Sequence, residues 1–290
     1  MRRILRRVSI IGLREWDRLR SPGRLAATPD RALVARSAIT IDDTGEEIWS
    51  VDPDRPIHGA STVKVITGWL ALERLELART VLIRAGDSPL PPSRLRPGDA
   101  ADVKSLVHLN LIASDGHAAG ALARTVGEAD LEFEPKSSDV DAALRRFQEI
   151  ADEKVKALGW SGHALVDPVG ANPGNRYTTR QIAELFRWLR DTSPHLHTIA
   201  SKRSALVHIA RRRMRIPMFV TNTYRSATTA IPELIAGKTG WQGGDGYAYL
   251  VWTWRHPDGR IFTSAVAETT PTHRAGDARL VIDRSVATGA

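Results

Sequence analysis

The chain is 290 residues long, enough to bury a large core as one big domain or two closely packed lobes, and its 42% apolar and 26% charged content is ordinary for a soluble globular protein. It contains no cysteine, which excludes disulfides and thiolate metal sites. The net charge of +8 is uneven: residues 1–24 hold eight arginines against Glu15 and Asp17, giving +6 and leaving about +2 for the remaining 266 residues. The body is therefore not a basic nucleic-acid binder, and no specific nucleic-acid partner is expected.

Two readings of the arginine-rich front end stand: a solvated tail, or an arm touching anionic lipid, nucleic acid or wall polymer. Its apolar stretch, Val8 to Leu13, is shorter than a signal-peptide core and is followed by charges. No run approaches the roughly 20 apolar residues of a membrane span. Residues 21–31 read as a linker, so the chain divides into an arm and linker over 1–31 and a folded domain over 32–290.

In chain order, Leu33 to Asp42 and Glu46 to Val51 flank Asp43-Thr44-Gly45 and predict a β-hairpin. The run from Gly59 to Leu75 is apolar on nearly every face, which predicts a buried central helix. Thr80 to Arg84 predicts a short strand, and Pro89 to Pro97 a loop. Helices are expected over Asp102 to Ala113, His117 to Val126 and Val140 to Leu158, with 127–138 an acidic loop. Thr178 and Gln181 make a capping box for a helix over Ile182 to Arg190. Ser204 to Ala210 and Arg215 to Val220 predict strands joined by an arginine run. Tyr247 to Trp254 and Arg260 to Ala267 around Pro257-Asp258-Gly259 predict the clearest hairpin, and Ala275 to Val286 a closing helix. The order implies an α+β fold: one antiparallel sheet built from the N- and C-terminal segments and flanked by helices, with an inserted, mostly helical region over about 85–200.

Three short segments carry chemistry. Ser61-Thr62-Val63-Lys64 heads the central helix. A serine three residues before a lysine on a helix shares its face, so the lysine can serve as base to a serine nucleophile once burial or nearby cations lower its pKa. Alone, the pattern reads first as an N-cap serine with an incidental lysine, because Ser-x-x-Lys occurs by chance in many helices. Ser114-Asp115-Gly116-His117 lies in the turn between two predicted helices. Lys238-Thr239-Gly240 follows Gly237 at the head of a late strand.

In this order the segments resemble the three motifs of the penicillin-binding and serine β-lactamase superfamily: Ser-x-x-Lys, Ser-x-Asn and Lys-Thr-Gly. The nearest likeness, over about residues 34–286, is to the low-molecular-weight D-alanyl-D-alanine carboxypeptidases. It takes in the opening hairpin, the segments around the three motifs, Leu158-Gly159-Trp160, Val166 to Gly170 and Tyr177-Thr178-Thr179. The resemblance implies a β-lactamase/transpeptidase-like α/β sandwich. It implies catalysis by Ser61 as nucleophile, Lys64 as its base and Ser114 as proton relay. It implies that Lys238 and Thr239 hold the substrate carboxylate, that Gly240 lets substrate lie against the strand edge, and that the Ser61 and Trp241 amides bind the oxyanion. No cofactor or metal is implied. The partners implied are peptidoglycan stem peptides ending in D-Ala-D-Ala, with β-lactams as covalent inhibitors.

Gly116 departs from the pattern, standing where the family usually has asparagine. Asp115 or His117 could stand in, although His117 reads as a surface residue at a helix N-terminus. Three functions are expected to compete: the carboxypeptidase, a β-lactamase, and a catalytically weak wall-binding module. The stretch from Val166 to Thr179 lacks the glutamate that class A β-lactamases use for deacylation. The resemblance implies an extracytoplasmic setting, reached by lysis, phage delivery or a start upstream of Met1. His195 and His197, spaced like metal ligands, read as surface residues. Asn222 and Tyr224 lie where the family has a segment beside the cleft, and carry no assigned role.

Overall fold

The computed structural model describes residues 32–88, 93–131, 139–212, 214–224, 231, 233–243 and 246–289. The arginine-rich arm and linker fall outside these residues.

The first hairpin pairs β1 (Ser37–Ile41) with β2 (Glu47–Val51), and β1 also pairs antiparallel with β9 (Ile261–Thr269). With β8 (Ala248–Arg255) and β7 (Leu234–Trp241) they form a five-stranded antiparallel sheet in the order β2-β1-β9-β8-β7. Strand alternation splits its side chains between two cores. Leu250, Trp252 and Trp254 of β8 and Phe262 and Val266 of β9 face Ala278, Val281 and Ile282 of the closing helix Arg274–Thr288. Tyr249, Val251, Ala265 and Ala267 face the helical side with Ile39 and Ile41. A sheet covered on both faces is the expected sandwich.

Among the described residues the α-helices, in chain order, are α1 (Lys64–Arg74), α2 (Val103–Leu111), α3 (Gly116–Asp130), α4 (Val140–Ala157), α5 (Thr179–Thr192), α6 (Pro194–Ala200) and α7 (Arg274–Thr288). Eight consecutive residues at the head of α1, Lys64 to Ala71, are buried, as the all-round apolar pattern predicts. The capping box at Thr178 and Gln181 forms as read.

Three sequence expectations need correction. The Ser204 and Arg215 strands do not join the large sheet. As β5 (Ser204–Arg211) and β6 (Met214–Thr221) they form a second antiparallel sheet with β3 (Thr80–Leu82) and β4 (Ala100–Asp102), in the order β3-β4-β5-β6. The acidic stretch after Val126 is not all loop, because α3 continues to Asp130. Gly127 lets it pass close to α4, since a Cβ there would stand 1.9 Å from the Ala143 carbonyl oxygen, while Glu128 and Asp130 are spent on Arg124, Arg74 and Arg146. His197 is buried against Thr253, 3.0 Å from its hydroxyl, and burial pushes its pKa down to about 4. His195 is exposed, and the two do not form a ligand pair.

Candidate active site

Gly59 takes a left-handed φ of +66°, and Tyr177 occupies the space a side chain would need: its hydroxyl oxygen would stand 1.9 Å from an added Cβ. The chain then makes a 3-10 turn, Ala60–Val63, before α1 begins at Lys64. Residues three apart eclipse in a 3-10 turn, so Lys64 lies directly over Ser61. Lys64 Nζ is 2.9 Å from Ser61 Oγ.

Lys64 is only 1% exposed, and burial lowers its pKa from the usual 10.5 to about 8, while Asp167 and Asp115 act in the opposite direction. Its second contact is the Val169 carbonyl at 2.5 Å, which also lies 3.5 Å from Ser61 Oγ. That carbonyl is aimed by Asp167, whose carboxylate accepts from the amides of Val169 (2.7 Å), Gly170 (2.9 Å) and Asn172 (2.6 Å). Buried Asn175 accepts from the Val166 and Asp167 amides and donates back to the Asp167 carbonyl. The loop over 166–175 is thus rigid through side-chain-to-backbone bonds.

Ser114 sits in the turn between α2 and α3 with a left-handed φ of +56°. Its Oγ accepts a 2.8 Å hydrogen bond from Lys238 Nζ. Lys238 comes from β7, the edge strand of the large sheet, and also donates to the Thr239 carbonyl at 2.7 Å. Its ammonium is pushed well below the ordinary lysine range by burial, then by the charges of Lys64 and Arg274. The charge of Lys64 therefore reaches Lys238. Arg274 of α7 donates to the Gly240 carbonyl at 3.1 Å.

The Thr239 hydroxyl meets that of Thr223 at 2.5 Å. Thr223 is a neighbour without a signal in the sequence, because a threonine between Asn222 and Tyr224 has no local pattern. Asn222 donates to the carbonyls of Ala200 and Lys202, and Tyr224 to that of Ala200, so both are structural. At Gly240 a Cβ would stand 2.9 Å from the Gly59 carbonyl oxygen, so the bare position lets β7 approach the Ser61 turn. The Trp241 side chain is 52% exposed at the end of β7.

Of the three residues after Ser114, Asp115 is committed as the cap of α3. Its carboxylate accepts from the Ala118 amide, and also from Ser93 Oγ and the Arg94 amide. His117 is half-buried, and its Nδ1 lacks a hydrogen-bond partner. At Gly116 a Cβ would lie 2.8 Å from Ser88 Oγ and 3.5 Å from Val169 Cγ1.

Ser61, Lys64, Ser114, Lys238 and Thr239, read from three distant segments, thus converge beside the end of β7. A Streptomyces DD-transpeptidase structure, a point mutant, matches 89% of this chain and 100% of its own at a TM-score of 0.77 and 19% identity. The D-alanyl-D-alanine carboxypeptidase of Mycobacterium tuberculosis matches 91% and 95% at a TM-score of 0.71 and 20% identity. The fold is that of the low-molecular-weight penicillin-binding proteins.

Within this penicillin-binding-protein fold, the sequence likeness is thinner. The D-alanyl-D-alanine endopeptidase of Pseudomonas aeruginosa is 26% identical over 172 residues, covering 57% of this chain and 51% of that protein. The chain therefore spans about half the length of the curated relative it matches. No protein-family model matches. Among the described residues, no helix is long and apolar enough to cross a membrane.

Proposed function

We propose that the chain is a serine D-Ala-D-Ala carboxypeptidase that removes the terminal D-alanine of peptidoglycan stem peptides through an acyl-enzyme on Ser61. The observation that carries this is the buried Lys64 ammonium, 2.9 Å from Ser61 Oγ and depressed to a pKa of about 8. Neutral Lys64 takes the Ser61 proton as Oγ attacks the carbonyl carbon between the two D-alanines. The backbone amides of Ser61 and Trp241 receive the oxyanion, a role carried over from the family. Collapse of the tetrahedral species breaks the C–N bond, and Ser114 passes a proton to the departing amine. Water then cleaves the ester and regenerates Ser61.

Lys238 and Thr239 hold the substrate's terminal carboxylate. A carboxylate arriving beside Lys238 favours the ammonium form there, and the two make an ion pair. The hydroxyl contact with Thr223 orients Thr239.

The name of the Pseudomonas relative favours a second reading, in which the leaving group is the amine of a longer peptide. The acyl-enzyme is the same in both. The absence of glutamate from 166–179 supports slow release of β-lactams over β-lactamase turnover. An extracytoplasmic place of action belongs to the same reading.

The test uses a fluorescent penicillin, a diacyl-Lys-D-Ala-D-Ala peptide and an analogue extended beyond the second D-alanine, each with the wild type and Ser61→Ala. The expected result is covalent labelling and D-alanine release that both vanish in the variant. Labelling without release of any amine points to a binding module, and cleavage of the extended peptide alone to the endopeptidase. A Ser61 that no probe acylates overturns the mechanism.

A further inference from the structure

Three hydrogen bonds close a ring through Ser114 and Lys238. Lys238 Nζ donates to Ser114 Oγ at 2.8 Å, joining β7 to the turn between α2 and α3. One residue on, the Thr239 hydroxyl meets that of Thr223 at 2.5 Å. The Thr223 amide then donates at 3.0 Å to the carbonyl of Ile112, the residue that caps α2 two positions before Ser114. Thr223 is thus the member that ties the sheet edge back to the helical region. Its flanks hold it there: buried Asn222 donates to the Ala200 and Lys202 carbonyls, and buried Tyr224 to that of Ala200. Thr223 itself is only half-buried, so its hydroxyl is not what anchors the segment.

A hydroxyl carries one hydrogen and two lone pairs. Among the described residues, neither the Thr223 nor the Thr239 hydroxyl has a second partner. One hydrogen lies between the two oxygens, which leaves one to give away. If Thr223 donates, the spare hydrogen is on Thr239, next to the Lys238 ammonium, and this end of the site offers hydrogens only. If Thr239 donates instead, it turns a lone pair to the substrate. The Thr223 hydrogen is then left without an acceptor among the described residues.

Resting on the carboxypeptidase reading, we infer that Thr223 is a positioning residue that makes the site select a free C-terminal carboxylate over an amide. An ionised carboxylate only accepts hydrogen bonds, so it takes the spare Thr239 hydrogen and fixes the pair with Thr223 as donor. Thr223 acts through Thr239 and touches no substrate atom. The amide of a blocked or extended peptide brings an N–H, which needs an acceptor. It meets the Thr239 hydrogen instead, and turning the pair round strands the hydrogen of Thr223. Without the Thr223 hydroxyl, Thr239 rotates to donate to a carboxylate or to accept from an N–H, and the discrimination shrinks. The charge of Lys238 favours the carboxylate in either case, so part of the preference stays.

The test uses diacyl-Lys-D-Ala-D-Ala as the free acid and as its C-terminal primary amide, with the wild type, Thr223→Val and Thr223→Ser. Valine keeps the shape and the backbone amide that meets Ile112, and removes only the hydroxyl. Release of D-alanine and of D-alaninamide gives kcat/KM for each peptide. The wild type is expected to prefer the acid. Thr223→Val should lower the acid-to-amide ratio about fivefold, and Thr223→Ser should restore it. The ratio is the readout, because a merely structural defect would slow both peptides together. A ratio that Thr223→Val leaves unchanged, or that Thr223→Ser does not restore, would overturn the inference while penicillin labelling of Ser61 left the carboxypeptidase reading standing. If neither penicillin nor either peptide acylates Ser61 of the wild type, both readings fall.

Discussion

The Val169 carbonyl accepts a hydrogen bond from Lys64 Nζ at 2.5 Å, across 105 positions of sequence. A carbonyl acceptor favours the ammonium and burial disfavours it. Burial wins, which leaves Lys64 near a pKa of 8.

Acylation should therefore follow the neutral form of Lys64. Below pH 8 the rate of penicillin labelling is expected to rise about tenfold per pH unit, then level off above it. Stopped-flow labelling between pH 6 and 9.5 measures this. A flat profile would show that Lys64 is not the base.

The same residue costs stability. Its cation is disfavoured in the folded state, so the unfolded chain binds more protons between about pH 8 and 10.5. Moving a pKa from 10.5 to about 8 corresponds to ~3 kcal/mol below that window, fading as pH rises through it. Lys64→Met should raise Tm at pH 7, lose that advantage by about pH 10.5, and abolish labelling. Thermal denaturation at the two pH values checks the sign.

Ser114 keeps a left-handed backbone that glycine adopts freely. Ser114→Gly should stabilise the fold by about 1 kcal/mol while removing the hydroxyl that meets Lys238. Denaturant titration and D-alanine release are expected to move in opposite directions. A parallel loss of both would place Ser114 in the structural frame alone.

Asp167 touches no part of the Ser61-Lys64 pair, yet it holds the backbone that does. Asp167→Ala leaves three amides without their acceptor, which should cost about 1–3 kcal/mol. Displacing Val169 should slow acylation roughly tenfold to a hundredfold. Asp167→Asn, which keeps one acceptor oxygen, should recover part of both losses. Circular dichroism melts and labelling rates separate the two effects.

Farther out, Arg124 bridges Asp87 at 2.6 Å, Glu128 at 3.0 Å and the Leu82 carbonyl at 2.7 Å, all in the interior. Arg124→Met takes the charge partner from buried Asp87, which keeps the Arg84 amide, while Glu128 keeps the Arg84 guanidinium; the loss should destabilise by about 3 kcal/mol. Urea unfolding of the two proteins at pH 7 measures the difference.

The sequence by itself determined the sandwich and much of the site. Hydrophobic periodicity sets which faces are buried, and Ser61 and Lys64 are joined by three residues of local geometry, so both are written in short stretches. Ser114 and Lys238 were legible because their order and spacing match a known pattern. Tertiary structure alone decided the rest. The Val169 carbonyl is a backbone group with no side-chain signature, and only the Asp167–Asn175 network aims it. Thr223 reaches Thr239 from another element. The strands β5 and β6 were readable as strands, but a ladder hydrogen bond is the same between any two backbones, so nothing local said they would pair with β4 instead of the large sheet. Gly116 shows the division most plainly: the sequence reveals the missing side chain, and the fold alone shows Ser88 and Val169 packed where a Cβ would stand.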